Sequence, residues 1–322
     1  ITMQHGGRAA DVWIVSDDPV EADTLLQDES AGFTRRLPGT LPSQAADDLT
    51  WLGRYSERAE GIARLTRAFQ VRLAENGHAD TPLLALMRAH FAAIGVDPAE
   101  PVPAQLVDCL DRAMATAGNS RSCFSADGWL ALRDLSRTVH DFLPRVQEGE
   151  DATRAMTVVL RKLAGFSGLV HENMYRFTGW RFLTIGRRLE RSIHLARTIA
   201  VLTDREAPDG AWDMLLEIAD AAMTHRRQYR THFNRLTILD LLVLDPLNPR
   251  SLMFQLGDLK AEIEKLPTRD NSDSQERLRA RILRLHTEFA ARQPADIEAE
   301  LLESCVSELA LIHDDLARSY FQ

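Results

Sequence analysis

Residues 51–64 read WLGRYSERAEGIAR, and FLTIGRRLERSIHLAR at 182–197 repeats the same spacing of glycine, arginine and glutamate. Aligned on the glycines, both stretches read G-R-x-x-E-R-x-x-x-x-A-R. The matched positions are Gly53, Arg54, Glu57, Arg58, Ala63 and Arg64 in the first stretch and Gly186, Arg187, Glu190, Arg191, Ala196 and Arg197 in the second. In a chain so rich in arginine, the letters alone are compatible with chance or with a true internal repeat.

Both stretches are predicted to be helices whose charged residues share one face. At about 100° per residue, the arginines and the glutamate of one motif fall within about 120° of the helix circumference. A glutamate between arginines can pair with one of them or with a residue on another helix. If the two helices pack together, up to six arginines and two glutamates line one seam, whose excess positive charge favours an anion such as a carboxylate or a phosphate.

The glycines of the motifs, Gly53 and Gly186, support such packing. A glycine inside a helix costs up to about 1 kcal/mol relative to alanine, and close approach of a second helix is a common reason to carry it. We therefore predict that the helix around 51–64 packs beside the helix around 182–197, with both motifs on a common seam. The competing interpretation is that the arginine–glutamate pairs are solvated faces or simple ties between helices, which contribute little on a surface.

From Ser43 onward the chain is predicted to be almost wholly helical, which defines an all-α, multi-helix bundle. Ser43 is the predicted N-cap of the first helix, and Asn76-Gly77 its end. Further helical patterns cover 82–94, 103–117, 127–147, 151–173, 179–203, 209–232, 234–244, 249–266, 273–292 and 294–320.

Residues 1–16 differ from the rest because they carry a β-like pattern. The segment DVWIVS alternates in the manner of a short strand, and the residues after it are first acidic and then rich in proline and glycine, as linkers are. We expect residues 1–41 to be the tail of one domain plus a linker, and residues 42–322 to be a complete helical domain. Such an organisation is typical of a larger protein that was cut, or of a shortened relative that kept the tail.

Composition and charge narrow the class of protein. The 322 residues carry a formal net charge of −9, which argues against general nucleic-acid binding, since phosphate contacts need a basic surface. No apolar run approaches a membrane span, no signal peptide opens the chain, and the three cysteines suggest neither a disulfide framework nor a zinc site. We therefore expect a cytoplasmic protein without a metal. Only three of the 38 basic residues are lysines. That bias suits bidentate carboxylate or phosphate contacts, and codon usage in a GC-rich genome also explains it.

The stretch LDPLNPRSLMFQL at 244–256 adds a second candidate anion site. Asn248 is the predicted N-cap and Pro249 the first helical residue, so Arg250 and Ser251 are placed at a helix N-terminus, whose free N–H groups can bind an anion. The alternative is that NPRS only starts a helix. The candidate anion-binding residues are therefore Arg54, Arg58, Arg64, Arg187, Arg191, Arg197, Asn248, Arg250 and Ser251. The candidate catalytic residues are Glu57 and Glu190.

Three motifs in this order, WLGRYSERAE, GWRFLTIGRRLERS and NPRSLMFQL, resemble the bacterial alpha-E family, a helical domain named for its E-R motif. The resemblance covers about residues 41–322. It implies that the doubled pattern is a family feature and that the fold is all-α.

The first residues resemble a different family, the terminal segment of circularly permuted ATP-grasp proteins. The matching positions are Met3, Gln4, Gly6, Gly7, Asp11 and Trp13. Ala10 stands where that family usually has a lysine, which puts a catalytic role for the tail in doubt. The resemblance implies an ATP-grasp domain as partner, fused or separate, and a transglutaminase-like protease and a proteasome-like peptidase in the same pathway. It also implies that ATP and magnesium belong to the full ATP-grasp domain and that this chain holds no cofactor of its own.

Three functions remain open at this stage. The first is a helical module that binds an anionic or peptide substrate for an ATP-grasp amide ligase in peptide synthesis or modification. The second is an enzyme in its own right, with Glu57 or Glu190 as acid–base group and arginines stabilising negative charge. The third is a non-catalytic scaffold. An open pocket lined by arginines favours the first two, and a sealed network of arginine and glutamate favours the third.

Overall fold

The computed structural model describes residues 41–77, 80–123, 125–230, 233–268 and 272–321. Within these ranges the regular secondary structure is helical, with twelve α-helices and no β-strand, which confirms the predicted all-α fold. The β-like segment and the linker predicted for residues 1–41 lie outside the described ranges, apart from Leu41 itself. None of the helices described combines the length and the apolar character that a membrane span requires.

The twelve helices follow one another with short connections. They are α1 Ser43–Glu75, α2 Pro82–Ala93, α3 Ala104–Asn119, α4 Ala126–Phe142, α5 Glu150–Asn173, α6 Thr178–Leu202, α7 Ala211–Ile218, α8 Ala222–Tyr229, α9 Arg235–Leu239, α10 Leu252–Glu264, α11 Ser272–Ala290 and α12 Ala299–Tyr320. Short 3₁₀ turns lie at Arg121–Cys123 and Pro294–Asp296, and a π-helical turn at Asp240–Leu244 continues α9.

Most predicted boundaries agree with these helices to within three residues, but the end predicted for the helix at 127–147 is wrong, because α4 ends at Phe142. Two further helices and one N-cap also differ. The helix predicted for 209–232 is wrong as a single element, because the chain breaks between α7 and α8 at Asp220, whose φ of 54° is left-handed. The helix predicted for 294–320 begins instead as the 3₁₀ turn and continues as α12. Ser43 is the first helical residue and Pro42 holds the N-cap position, one residue before the prediction.

The helices form two groups with the same order of neighbours. In the first group α1 packs on α3 and α5, and α4 packs on both of those helices. In the second group α6 packs on α10 and α12, and α11 packs on both of those. The two groups meet mainly along α1 and α6, the helices that carry the G-R-x-x-E-R motifs. This repeated arrangement favours a true internal repeat over chance.

Helices α1 and α6 run side by side in the same direction. Gly53 lies against the backbone of Leu183 and Arg187, and Gly61, two turns further along α1, lies against the ring of His194. The contact is reciprocal, since Gly186 lies against the backbone of Thr50. Such paired contacts are those of an approximate twofold axis running along the helix pair, and they place equivalent residues of the two motifs opposite each other.

Candidate anion site at the paired motifs

Glu190 on α6 is held by two arginines of α1. Its carboxylate accepts a hydrogen bond from Nε of Arg54 at 2.8 Å and from Nε and Nη2 of Arg58 at 2.7 and 3.0 Å. The side chain of Glu190 is only 8% exposed. The buried carboxylate is therefore charged, fully engaged and tied to the neighbouring helix.

Glu57 on α1 makes the matching contacts to α6. It accepts hydrogen bonds from Nε of Arg187 at 2.8 Å and from Nε and Nη2 of Arg191 at 2.7 and 2.9 Å. Arg187 also donates from Nη2 to the hydroxyl of Ser167 on α5 at 3.1 Å. The structure thus brings both motifs to one seam, as predicted, and each glutamate pairs across the seam with the arginines of the other motif.

Close approach of the two backbones makes this pairing possible. A Cβ atom on Gly186 would lie 2.0 Å from the carbonyl oxygen of Thr50, and one on Gly53 would lie 2.3 Å from that of Leu183. Neither position has room for any side chain, and the clash would be with rigid backbone. The glycines therefore set the helix separation at which the arginines reach the opposite glutamate.

The charges of the seam keep both glutamates ionised. Burial alone would raise the pKa of Glu57, but the charges of Arg191 and Arg187 outweigh it and hold that pKa below its usual value. The pKa of Glu190 is lowered in the same way, with burial opposed by the hydrogen bond from Arg58 and the charge of Arg54. A general base works best with a pKa near the working pH, so these carboxylates are poorly suited to proton transfer at neutral pH.

A third glutamate, Glu60, collects three arginines at the other edge of the seam. It accepts hydrogen bonds from Nε of Arg64 at 2.9 Å, from Nη2 of Arg250 at 2.7 Å and from Nη2 of Arg191 at 3.3 Å. Burial would raise the pKa of Glu60, but Arg191, Arg250 and Arg64 together bring it far below the usual range. These four residues are called the Glu60 cluster below. Glu60 was missed from the sequence, although its spacing from Arg64 is that of a helical ion pair.

The NPRS segment reaches the seam through Arg250 alone. The predicted N-cap at Asn248 is wrong, because α10 begins at Leu252 and Ser251 is its cap, accepting a hydrogen bond from the Phe254 N–H at 3.0 Å. The Asn248 side chain instead donates to the carbonyl oxygen of Leu241 at 2.8 Å and accepts from the N–H of Arg250 at 3.0 Å. The polar atoms of Asn248 and Ser251 are thus bonded to backbone, and they fix the segment that carries Arg250.

One side of the seam opens into a pocket of about 200 Å³ between α1, α2, α3 and α6. Its lining comprises Arg58, Ile62, His90, Ile94, Val96, Gln105, Asp108, Cys109, Glu190, Ile193, His194 and Arg197. The Arg58 side chain is 37% exposed, against 12% for Arg191, the equivalent residue of the other motif. Arg197 is exposed and makes no ion pair or hydrogen bond with any residue in the described ranges. We call this space the Arg58–Arg197 pocket.

The histidines and the cysteine that line the Arg58–Arg197 pocket are neutral at physiological pH, whereas Glu190 in the same lining is charged. Burial, assisted by the charge of Arg197, lowers the pKa of His90 to about 4, and burial beside His90 lowers that of His194 to about 4. Burial raises the pKa of the Cys109 thiol to about 11, so this cysteine is not a ready nucleophile. His194 Nε2 and Gln105 Oε1 are buried without a hydrogen-bond partner among the described residues. No motif spacing in the sequence could have indicated these residues, because they come from three different helices.

An apolar groove of about 280 Å³ adjoins the pocket and shares His90, Ile94 and Arg197 with it. The remaining lining comes from α2, α6 and α12 and consists of Ala93, Ala196, Ala200, Val201, Leu302, Glu303 and Val306. Arg197 therefore stands between a polar space and an apolar one. In the described part of the chain, no group of three or more His, Cys, Asp or Glu side chains has the arrangement of a metal site.

Fold and seam together define a class of all-α proteins in which two central helices are joined through paired E-R motifs. The chain belongs to the Alpha-E family, described as a predicted alpha-helical domain with a conserved ER motif, which matches residues 41–321. The resemblance noted from the three motifs is thereby confirmed for the helical domain.

Longer proteins of unknown function are among its relatives. Uncharacterized proteins of Mycobacterium tuberculosis and Mycobacterium bovis are each 26% identical to this chain, over 96% of its length and 40% of theirs. The chain thus spans about two fifths of the length of the curated relatives it matches. No solved structure matches it.

Proposed function

We propose that this helical domain binds an anionic or peptide substrate for an amide ligase of the ATP-grasp type. The observation that carries the proposal is the Arg58–Arg197 pocket, where one arginine has no partner among the described residues and the other is partly exposed. Two guanidinium groups beside a small concave space are suited to a carboxylate or phosphate, since each can donate two parallel hydrogen bonds.

The ATP-grasp part of the proposal is supported by the resemblance of residues 3–13 to the end of that domain. ATP-grasp chemistry would activate a carboxylate as an acyl phosphate in the partner domain, whether fused or separate. The helical domain would hold the anionic substrate, the intermediate or the product. The transglutaminase-like protease and the proteasome-like peptidase stay as proposed members of the same pathway, and the cytoplasm as the proposed compartment.

The anion-binding arginines divide into two groups under this proposal. Arg54, Arg187 and Arg191 are 12–18% exposed and committed to glutamates, so they hold the helices together. Arg64 and Arg250 are likewise committed to Glu60. Ligand binding therefore falls to Arg58 and Arg197.

A scaffold role is the second candidate, and one observation favours it. Most of the seam is a closed network in which each carboxylate of the E-R motifs is satisfied by arginines. A domain whose motifs are only structural would look the same there. The two candidates differ at the Arg58–Arg197 pocket, which a scaffold does not need.

The test is equilibrium dialysis of the whole chain against a defined mixture of short peptides with free carboxylates, with bound peptide measured by mass spectrometry. We expect the Arg197→Ala variant to bind at least tenfold less peptide, with its free energy of unfolding unchanged within about 0.5 kcal/mol. Arg64→Ala is the matched control, because Arg64 is the equivalent residue and is paired. It should lower stability by about 1–3 kcal/mol and leave binding intact. Absence of any bound anion would leave the scaffold role.

The assignment of ATP chemistry to the partner domain can be tested separately. This chain alone should not hydrolyse ATP, because the nucleotide and magnesium are assigned to the ATP-grasp partner. Phosphate release measured with the purified chain should equal the blank with and without Mg²⁺. Magnesium-dependent turnover that survives further purification would contradict the assignment.

A further inference from the structure

The two halves of the seam differ at one pair of equivalent positions. Glu60 lies seven residues after Gly53, and the residue seven positions after Gly186 is Ile193. In the first half, Arg64 and Arg191 both donate to the Glu60 carboxylate. Their equivalents in the second half are Arg197 and Arg58, and both line the pocket that Ile193 also lines. Two arginines therefore line the same pocket as a residue whose equivalent in the other half is a carboxylate.

The hydrogen bonds of the equivalent arginines differ between the two halves in the same way. Arg191 donates from Nη2 to Glu57 at 2.9 Å and also to Glu60 at 3.3 Å. Arg58 makes the first of these bonds, to Glu190 at 3.0 Å, and has no equivalent of the second within the described ranges. Arg64 donates from Nε to Glu60 at 2.9 Å, whereas Arg197 has no acceptor there. Each bond that Glu60 accepts from the two motif helices is missing on the side that is open.

We infer that the Arg58–Arg197 pocket binds the carboxylate of a ligand in the way that Arg191 and Arg64 bind Glu60. The Glu60 cluster shows that this arrangement of helices can present two guanidinium groups to one carboxylate. The inference rests on the proposed function and makes its ligand specific. The pocket has the space that a carboxylate requires, with Ile193 at its wall.

The surroundings of the pocket favour a carboxylate over a phosphate. Asp108, a surface carboxylate paired with Arg112, lines the same space together with the charged Glu190. A ligand with two negative charges would therefore be repelled more than one with a single charge. The neutral His90 and His194 add no positive charge at physiological pH. The adjoining apolar groove takes an aliphatic group attached next to the carboxylate. The ligand class is therefore a peptide, or an N-acylated amino acid, that ends in an aliphatic residue with a free carboxylate.

A variant of this chain can supply the missing carboxylate itself. Ile193→Glu places a glutamate at the position equivalent to Glu60, one helical turn before Arg197. If the two arginines converge on that point, the new side chain will pair with them. Ile193→Gln is the matched control, because it has the same size and no charge. We expect the midpoint of thermal unfolding of Ile193→Glu to exceed that of Ile193→Gln by about 2–4 °C. A shift of this size is expected because the glutamate adds one ion pair with the two arginines. A midpoint equal to or below that of the glutamine variant would overturn the inference.

Ligand binding gives the second readout, measured by titration calorimetry with N-acetyl-L-leucine, N-acetyl-L-leucinamide and inorganic phosphate. We expect the acid to bind the wild-type chain at least tenfold more tightly than the amide or the phosphate. Ile193→Glu should abolish binding of the acid, since its own carboxylate fills the site. Arg64→Ala should bind the acid as the wild type does.

The outcomes separate this inference from the broader proposal. Phosphate bound more tightly than the acid, with loss in Arg197→Ala, would overturn the carboxylate assignment and keep the anion-binding function. Binding of acid and amide with equal affinity would overturn the carboxylate assignment as well. Absence of binding for all three probes, together with no retained peptide in dialysis, would remove the anion-binding function itself.

Discussion

Glu57 and Glu190 stand at equivalent positions of the two motifs, and each accepts three hydrogen bonds from two arginines of the other helix. Around Glu57 the seam is closed, since Arg191 continues to Glu60. Around Glu190 the seam is open, since Arg58 faces a pocket. In both halves the glutamate of the E-R motif ties the two helices together. The halves differ at one position outside the motif, where Glu60 of the first half corresponds to Ile193 of the second.

The largest expected effect distinguishes the closed half from the open one. Glu57→Gln removes the charge that compensates Arg187 and Arg191, and breaking a buried ion pair costs about 3–5 kcal/mol. Glu190→Gln should cost less, about 1–3 kcal/mol, because Arg58 is partly exposed and can be solvated. Urea unfolding at pH 7 measures both values. Equal losses of unfolding free energy in the two variants would mean that solvent is excluded from the ion pairs of the open half as fully as from those of the closed half.

Replacing the seam glycine by alanine should lower the free energy of unfolding by a similar amount in both halves, whereas the glutamate variants should differ. A methyl group on Gly53 or Gly186 meets a backbone carbonyl at 2.3 or 2.0 Å, and such overpacking costs about 1–3 kcal/mol or more. Gly165 on α5 is the control, because a Cβ there meets no atom within 4 Å. Gly165→Ala should stabilise the helix by up to about 1 kcal/mol. Chemical unfolding of the three alanine variants tests this, and a strongly unequal pair of seam variants would break the twofold relation.

The two histidines of the open half, His90 and His194, should make the free energy of unfolding depend on pH. This dependence should begin at a higher pH than the titration of the carboxylates. Because the pKa values of His90 and His194 are lowered from 6.5 to about 4 in the folded chain, protonation favours the unfolded chain. Their contribution is fully present above pH 6.5 and is lost as the pH falls towards 4. His90 faces Arg197, and His194 faces His90, Glu190, Glu60 and Arg64.

Replacing either of these histidines should flatten that decline. We expect His90→Gln or His194→Gln to reduce the loss of unfolding free energy between pH 7 and pH 5 by about 1–2 kcal/mol. His171→Gln is the control, since that ring is exposed. Urea unfolding at pH 7, 6 and 5 gives the slopes. A decline that begins only below pH 4.5 would assign the acid sensitivity to the carboxylates instead.

The sequence was sufficient for the parts of the molecule that depend on local pattern. Apolar spacing and breakers predict the helices, and a glycine inside each motif predicts the close approach of α1 to α6. The break at Asp220 was missed because a left-handed backbone is usually marked by glycine, and here the residue is an aspartate. The ion pair between Glu60 and Arg250 was not predicted, because no local sequence pattern connects two residues so far apart in the chain. The same reason hides the pocket, whose histidines lie on α2 and α6 and become neighbours only in the folded chain.

The reciprocal glycine contacts also restrict how this domain can move. Sliding α6 along α1 by one turn, about 5.4 Å, would drive a side chain into a carbonyl group at both ends of the contact. The glycine contacts therefore fix the register of α6 against α1, and a change of that register cannot transmit a signal through this helix pair. Outside this helix pair, α2 lines both the pocket and the groove, so a ligand in either space would contact α2 and the fixed helix α6 together.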